Sequence, residues 1–513
     1  MQPTSEVSAS PTAVWAGAIA SALLGAWIVF DANPGINWGL WVASATLSVV
    51  LARRFSRLPL EKPTLILLGW ATLLGFVPTI TATESIRVLV VLSIAMLLGL
   101  AVIVIGADRW RSLSAKLLPT IPFLAPFRVL KATLHEGATV PAAIASPKAR
   151  TTTRGLLITV PVVIILVVLL RNADPTLAWL VDRIEELLPQ WSISARVVFF
   201  LFLLALTLGA SSLAARQRDS RLPALANFPK PGVLGFTEQK MVLVAVAVVL
   251  WLFVVLQISY LFHEPPGVVG SGTTFAEYAR RGFAQLSVAV TLVGGLILVL
   301  EATRAPDLDP NRRRQLVRLE AALLIALELM LFSAFRRVIL YEQAYGYTTT
   351  RVFAQAYMLV VALSLVALWL ELNKGAITVD FGRRVSVIAL GTFTLLAFWN
   401  YAAWIANQNF DRAARTGKFD AAYAIELARD IDAVPTIVAR RHELPGPDRA
   451  VVENFLGCDR LPGSDRWYEY SVRLRAAALA LKGDAQLHCV PVLRAAPAPL
   501  VPDTGATDPP TQP

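Results

Sequence analysis

Charge is what this sequence has little of. Only 16% of its 513 residues are Asp, Glu, Lys or Arg, against about a quarter in soluble globular chains, which excludes an ordinary soluble multidomain protein. Cysteine and histidine are scarcer. Two cysteines exclude a disulfide-built fold and a cysteine-ligated zinc or iron–sulfur centre. The four histidines, His135, His263, His442 and His488, show no His-x-x-x-His spacing, so no histidine-rich metal site is expected. No Gly-x-x-x-x-Gly-Lys-Ser/Thr phosphate loop and no Gly-x-Ser-x-Gly nucleophile turn occurs. Gly267, Gly270 and Gly272 follow Pro265-Pro266 and read as turn residues. The residues therefore offer no catalytic motif, no metal and no cofactor.

What is abundant is apolar. Hydrophobic residues make up 56% of the chain and the mean hydropathy is +0.58. They arrive in blocks such as Val160 to Leu170, Val197 to Leu206 and Val242 to Leu256, without the amphipathic rhythm of a helix that meets water on one side. Crossing a bilayer takes roughly 20 apolar residues. Eleven stretches qualify: 12–30, 36–52, 63–83, 86–106, 155–170, 197–215, 241–262, 282–301, 319–340, 351–373 and 385–406. The expected fold is all-α, a polytopic transmembrane helical bundle with a small extracytoplasmic helical C-terminal region. It divides into a four-span segment (1–106), a basic loop (107–154), a seven-span core (155–406), a helical tail (407–490) and a Pro/Ala/Thr-rich end (491–513) expected to be disordered.

An odd number of spans puts the termini on opposite sides, and Lys and Arg decide which is which because cytoplasmic loops retain them. With the N-terminus inside, 25 basic residues fall in inner connections and 9 outside. The tail is nearly balanced, with 13 Lys and Arg against 14 Asp and Glu. The formal charge of +11 is thus mainly an orientation signal, and nucleic acid drops out as a partner. The expected location is a bacterial cytoplasmic membrane, N-terminus cytoplasmic and C-terminus extracytoplasmic.

The first apolar block could be a secretory signal, but Met1 to Pro11 has no Lys or Arg, so we read a retained helix. Along it Gly17, Ser21 and Gly25 form a small-residue stripe that would admit a close neighbour, although small residues are also common in any alanine-rich span. The basic loop mixes Phe123, Leu124, Phe127 and Leu130 with Arg128 and Lys131, as either an amphipathic helix on anionic headgroups or a solvated basic loop. Cys458 and Cys489 both lie in the tail and are candidates for a disulfide if it faces an oxidising exterior.

A polar constellation is expected at the outer face. Glu277, Tyr278, Arg280 and Arg281 follow span seven, Arg336, Arg337, Tyr341 and Glu342 close span nine, and Arg351 opens span ten. Positive charge outside opposes the inside bias and needs its own reason. One reason is pairing of Glu277 and Glu342 with these arginines. The other is an anion site, since guanidinium forks bind phosphate or carboxylate bidentately. Glu328 lies within span nine, where a charged carboxylate costs about 2.5 kcal/mol or more. It is expected to be a neutral interhelix contact or a proton-coupling group.

Tyr278-Ala279-Arg280-Arg281-Gly282-Phe283, Ser333-Ala334 with Arg337, Tyr341, Tyr345-Gly346, Thr348 and Arg351, and Asn172-Ala173-Asp174-Pro175 resemble the motifs of a bacterial multipass family, domain of unknown function 4173, close to 4153. The similarity covers roughly 155–440. Asp420, Tyr423, Leu427, Asp430 and Pro435 resemble its Asp-x-x-Tyr…Leu…Asp-Ala-x-Pro pattern, with Ile431-Asp432 intervening before Ala433 and Val338 where methionine is common. The resemblance implies a bacterial integral membrane protein and brings no activity, substrate or cofactor.

Two functions follow as expectations. One is binding or transport of an anionic lipid headgroup or envelope precursor through the outer arginines. The other is a membrane scaffold or sensor acting through the tail, whose protein partner the sequence does not name. In both, the lipid bilayer is the primary partner.

Overall fold

The computed structural model describes residues 11–105, 121–138, 191–216, 234–262, 275–305, 308–373, 379–458, 461, 466–483 and 487. The expected span 155–170, the Asn172-Ala173-Asp174-Pro175 motif, Cys489 and the end from 491 lie outside the described residues. Within them the chain is helical: α1 (Pro11–Ile28), α2 (Ile36–Phe55), α3 (Lys62–Gly75), α4 (Val77–Ile80), α5 (Glu84–Val104), α6 (Ile121–Ala138), α7 (Trp191–Arg216), α8 (Phe236–Phe262), α9 (Phe275–Thr303), α10 (Pro310–Tyr345), α11 (Thr349–Asn373) and α12 (Val379–Phe398). The tail follows as α13 (Tyr401–Thr416), α14 (Ala421–Ala428), α15 (Val434–Arg440), α16 (Gly446–Cys458) and α17 (Val472–Lys482).

Seven of these stretches are long and apolar enough to cross a membrane: Lys62–Ile80, Ile86–Val104, Ala195–Arg216, Phe236–Val255, Leu286–Thr303, Thr349–Asn373 and Phe381–Phe398. Their outer surfaces are apolar too. Val248, Leu292 and Leu395 are 62%, 67% and 75% exposed, a cost in water that lipid removes. The chain is a multi-pass membrane protein.

Local chemistry sets the helix ends. Pro78 has no N–H to give to Leu74, so the 62–80 span breaks at Phe76 into α3 and α4. Asp309 caps α10, its carboxylate accepting from the amides of Asn311 and Arg312 at 3.2 and 3.4 Å, with Pro310 at the first helical position. At 36 residues, α10 is about 54 Å long, longer than the hydrocarbon core, so part of it stands beyond the bilayer. The last span ends at Phe398 instead of continuing to 406, because the Asn400 side chain accepts from Ala403 N at 3.0 Å and starts α13 anew.

The small-residue stripe of α1 does face a neighbour. Ser21 bonds Ser44 of α2 at 3.0 Å, and a Cβ on Gly25 would strike Trp41 and Leu203. Within the basic loop a helix forms: α6 lies across α5 and α7, Arg128 donating to Ile103 O at 3.1 Å and Thr133 to Ala205 O at 2.7 Å. Phe127 remains exposed.

The apolar core has two main parts. One joins α2, α3, α5 and the end of α12 to the tail helices, through residues such as Leu74, Ile86, Tyr401, Ile405 and Val434. The other belongs to α8, α9, α10 and α11, around Leu243, Ile297, Leu323 and Leu368. The tail reaches both. It touches the connections at 31–36 and 81–83 on one side and 343–349 on the other, and so bridges the two halves at one end of the bundle.

Candidate functional site

The site grows from the C-terminus of α10. Gly346 ends the helix at φ +88, a conformation that side chains rarely adopt, with its amide donating to Glu342 O at 2.7 Å. Asn409 of α13 then grips the turn, accepting from Tyr347 N at 2.7 Å and donating to Tyr347 O at 2.9 Å. Arg412, one turn further on, donates to the carbonyls of Gln343 (3.2 Å), Ala344 (2.6 Å) and Lys418 (3.3 Å). It thereby satisfies helix-end carbonyls and places positive charge at the negative end of the α10 dipole. Arg351 of α11 closes the turn from the other side, with its guanidinium 4.3 Å from the Tyr341 ring and a hydrogen bond to Gly346 O.

The tail supplies the opposite wall. Asp420 caps α14 by accepting from Tyr423 N at 2.9 Å, and this holds the Tyr423 hydroxyl where it accepts from Thr349 N, also at 2.9 Å. Burial pushes the Tyr423 hydroxyl above its ordinary pKa, so it stays a neutral donor and acceptor. The result is a cavity of about 90 Å³ bounded by Arg351, Arg412, Lys418, Tyr345, Tyr347 and Tyr423, among others. Tyr345, Gly346, Thr348 and Arg351 of one motif stretch meet Asp420, Tyr423 and Leu427 of the other here.

The Gly346 turn yields a direct test. A Cβ there would lie 2.8 Å from Asn409 Oδ1, and the backbone strain alone costs about 1–3 kcal/mol. Gly346→Ala should lower the thermal midpoint in detergent and speed hydrogen exchange in α13, while Gly295→Ala, with open space around it, should not.

The sequence-derived residues distribute unevenly. Tyr341, Glu342 and Arg351 come together at the turn. Glu342 is buried, and its carboxylate accepts from Gln355 at 2.8 Å. Arg336 is exposed on α10 and Arg337 half-buried beside it. Glu277, Tyr278, Arg280 and Arg281 lie in the first turns of α9, with side chains outside those described. Glu328 is half-buried in α10, and its Oε1 has no hydrogen-bond partner among the described residues. Cys458 ends α16 and is disulfide-bonded. Asn409, Arg412 and Lys418 were missed: nothing in a polar tail helix signals that it returns to cap α10.

A second junction fastens the tail. Asp432, 2% exposed, accepts from Ala82 N (2.9 Å), Thr83 Oγ1 (3.2 Å) and Thr81 Oγ1, and pairs with Arg473 of α17 at 2.7 Å. Arg473 also donates to Phe398 O at 2.9 Å. Beside it Asp430 accepts from Thr83 Oγ1 at 2.7 Å.

Burial raises the Asp430 carboxyl from 3.8 to about 6, helped by Asp432 and opposed by Thr83 and Arg473. A raised carboxyl pKa means that the docked form binds more protons. Asp430 therefore favours docking most below pH 4, and this contribution fades as pH rises through about 6. The protection of α15 and α17 against hydrogen exchange, taken relative to the intrinsic amide rate at each pH, should be greater at pH 5 than at pH 7.5, and Asp430→Asn should remove most of that difference.

No curated protein and no solved structure matches the chain. A family model does, over residues 65–439, starting well upstream of position 155 and running from α3 to α15, with the Gly346 turn, Asp430 and Asp432 inside it and Arg473 beyond it. The two motif stretches that meet at the cavity lie inside that match, and the chain belongs to the family named Domain of unknown function (DUF4153).

Proposed function

We propose that this protein is a bacterial cytoplasmic-membrane protein of about eleven spans that binds an anionic headgroup, of a lipid or an envelope precursor, where the tail meets α10 and α11. The observation that supports it is the cavity itself, where Arg351, Arg412 and Lys418 gather among tyrosines with Asp420 as the acidic residue on the wall. Guanidinium and ammonium groups beside hydroxyl donors suit phosphate. Its size sets the ligand class. At about 90 Å³ it falls below the roughly 300–1,000 Å³ of sites that swallow whole small molecules, so it takes a headgroup whose remainder stays outside. Arg336 and Arg337, further down α10, would meet that remainder. The basic balance of the connections puts the N-terminus in the cytoplasm and this site outside.

The Lys418 side chain is exposed and only its backbone carbonyl meets Arg412, so Lys418→Ala keeps the Gly346 turn clamp and tests binding without unfolding. Full-length protein in nanodiscs with phosphatidylglycerol should retain that lipid over phosphatidylcholine on extraction, and inorganic phosphate should displace it. Lys418→Ala should weaken retention about tenfold, a change of 1.4 kcal/mol. Equal retention of both lipids, or of one lipid by both proteins, rejects the reading.

A second reading, a scaffold acting through the tail, is favoured by Trp467, Val472 and Leu479, which are all exposed on α17 and the turn before it. Trp467→Ser with Leu479→Ser should then abolish capture of a partner and leave lipid retention intact.

A further inference from the structure

At the end of the bundle away from the tail, three buried carboxylates meet arginines: Glu61 with Arg53, Glu136 with Arg216 and Glu371 with Arg384, the last two guanidiniums being partly exposed. Arg304 is itself buried. It follows α9 directly and meets two carboxylates, Glu301 one turn back and Glu320 of α10, the latter at 2.5 Å. Glu320 is wholly buried, and its Oε2 has no hydrogen-bond partner among the described residues. Gln239 of α8, also wholly buried, closes the remaining side without adding charge: its Oε1 accepts from Arg304 Nε at 3.1 Å and its Nε2 donates to Leu300 O at 2.8 Å.

With both carboxylates ionised the cluster would hold a net charge of minus one among Leu243, Leu300, Leu316 and Leu323. Among the described residues, Arg304 is the one cation paired with either carboxylate. Lys240 of α8 and Arg312 of α10 lie over the Phe236 ring at 5.7 and 5.4 Å, and Arg314 and Arg318 point outward, exposed. Glu238, next to Gln239, bonds Gly235 N. An unmatched buried charge costs several kcal/mol, and two carboxyls that share one site relieve it by sharing one proton.

We propose that Glu301 and Glu320 form a proton-binding site, one proton held between the two carboxyls beside Arg304, at the junction of α8, α9 and α10. Uptake converts one carboxylate to a carboxylic acid and release returns it, the proton exchanging with water. Because the three residues sit on two helices and the link between them, the charge state of the site bears on how α9 and α10 pack. The site is suited to proton coupling and stands independently of the headgroup cavity.

Infrared difference spectroscopy of the full-length protein in detergent tests this. Subtracting Glu320→Gln, or Glu301→Gln, from the unaltered protein at pH 7 should leave a positive protonated-carboxyl C=O band, because the remaining glutamate ionises against Arg304. Each single variant should keep its thermal midpoint close to that of the unaltered protein, since Gln replaces a neutral acid. The double variant should lose more than the two singles combined, as Arg304 is left unmatched. A difference spectrum with no acid band in either single variant, only lost carboxylate, shows both groups ionised and overturns the proposal. Glu328→Gln provides the control that any other protonated carboxyl gives its own, separate band.

Discussion

Asp432→Ala should free the tail from the connection at 81–83 and cost about 3–5 kcal/mol, the penalty for removing one partner of a buried pair. The size follows from what would be stranded. Arg473 would lose its carboxylate while still held at Phe398 O, and Ala82 N would lose its acceptor. Thr81 and Thr83 would keep each other and Asp430. The damage should be local to the tail junction, so hydrogen exchange and protease cleavage should rise across α15 and α17 while the apolar helices keep their protection. Asp432→Asn should recover part of the loss, because the amide oxygen still accepts from Ala82 N although the charge pair is gone. Protection of α15 and α17 equal to that of the unaltered protein would refute the assignment of Asp432 as the fastener.

Arg53→Met is expected to be as severe, but at the other end of the bundle. Arg53 is 1% exposed and joins three segments at once, donating to Pro59 O at 2.6 Å and Ala214 O at 3.0 Å and pairing with Glu61. Methionine fills a similar volume, so the cost is electrostatic. It leaves a buried carboxylate and two buried carbonyls without donors, again about 3–5 kcal/mol. Adding Glu61→Leu should restore much of the stability, since a buried pair replaced whole by apolar residues is often neutral. Thermal unfolding of the single and double variants in detergent measures both. A double variant no better than Arg53→Met would mean that the two carbonyls, and not the carboxylate, dominate.

The sequence read well wherever a residue's environment is set by its neighbours in the chain. Apolar runs such as Val242 to Leu256 announce lipid-facing helices because each residue there needs the same solvent. The Gly17, Ser21 and Gly25 stripe showed its close contact because small size is itself the local signal. The break at Phe76 was in Pro78, yet it reads as a continuous span unless the missing N–H is weighed. The arginines at the end of α10 and the start of α11 were legible only as an anomaly of charge, and the hydrogen bond from Gln355 to Glu342 was not legible at all, because it comes from the next helix.

By itself, then, the sequence determined that this is an all-helical multi-pass membrane protein, because hydropathy and helical periodicity are properties of short stretches. Only the tertiary structure decided that the tail is part of the bundle. Ala82 and Asp432 are 350 residues apart in the chain, as Arg412 and Ala344 are 68 apart. A hydrogen bond between such residues leaves no trace in the local composition around either one. The two residues that seemed to interrupt the family pattern, Ile431 and Asp432, include the one that closes that junction, since its place in the fold is set by a loop near the other end of the chain.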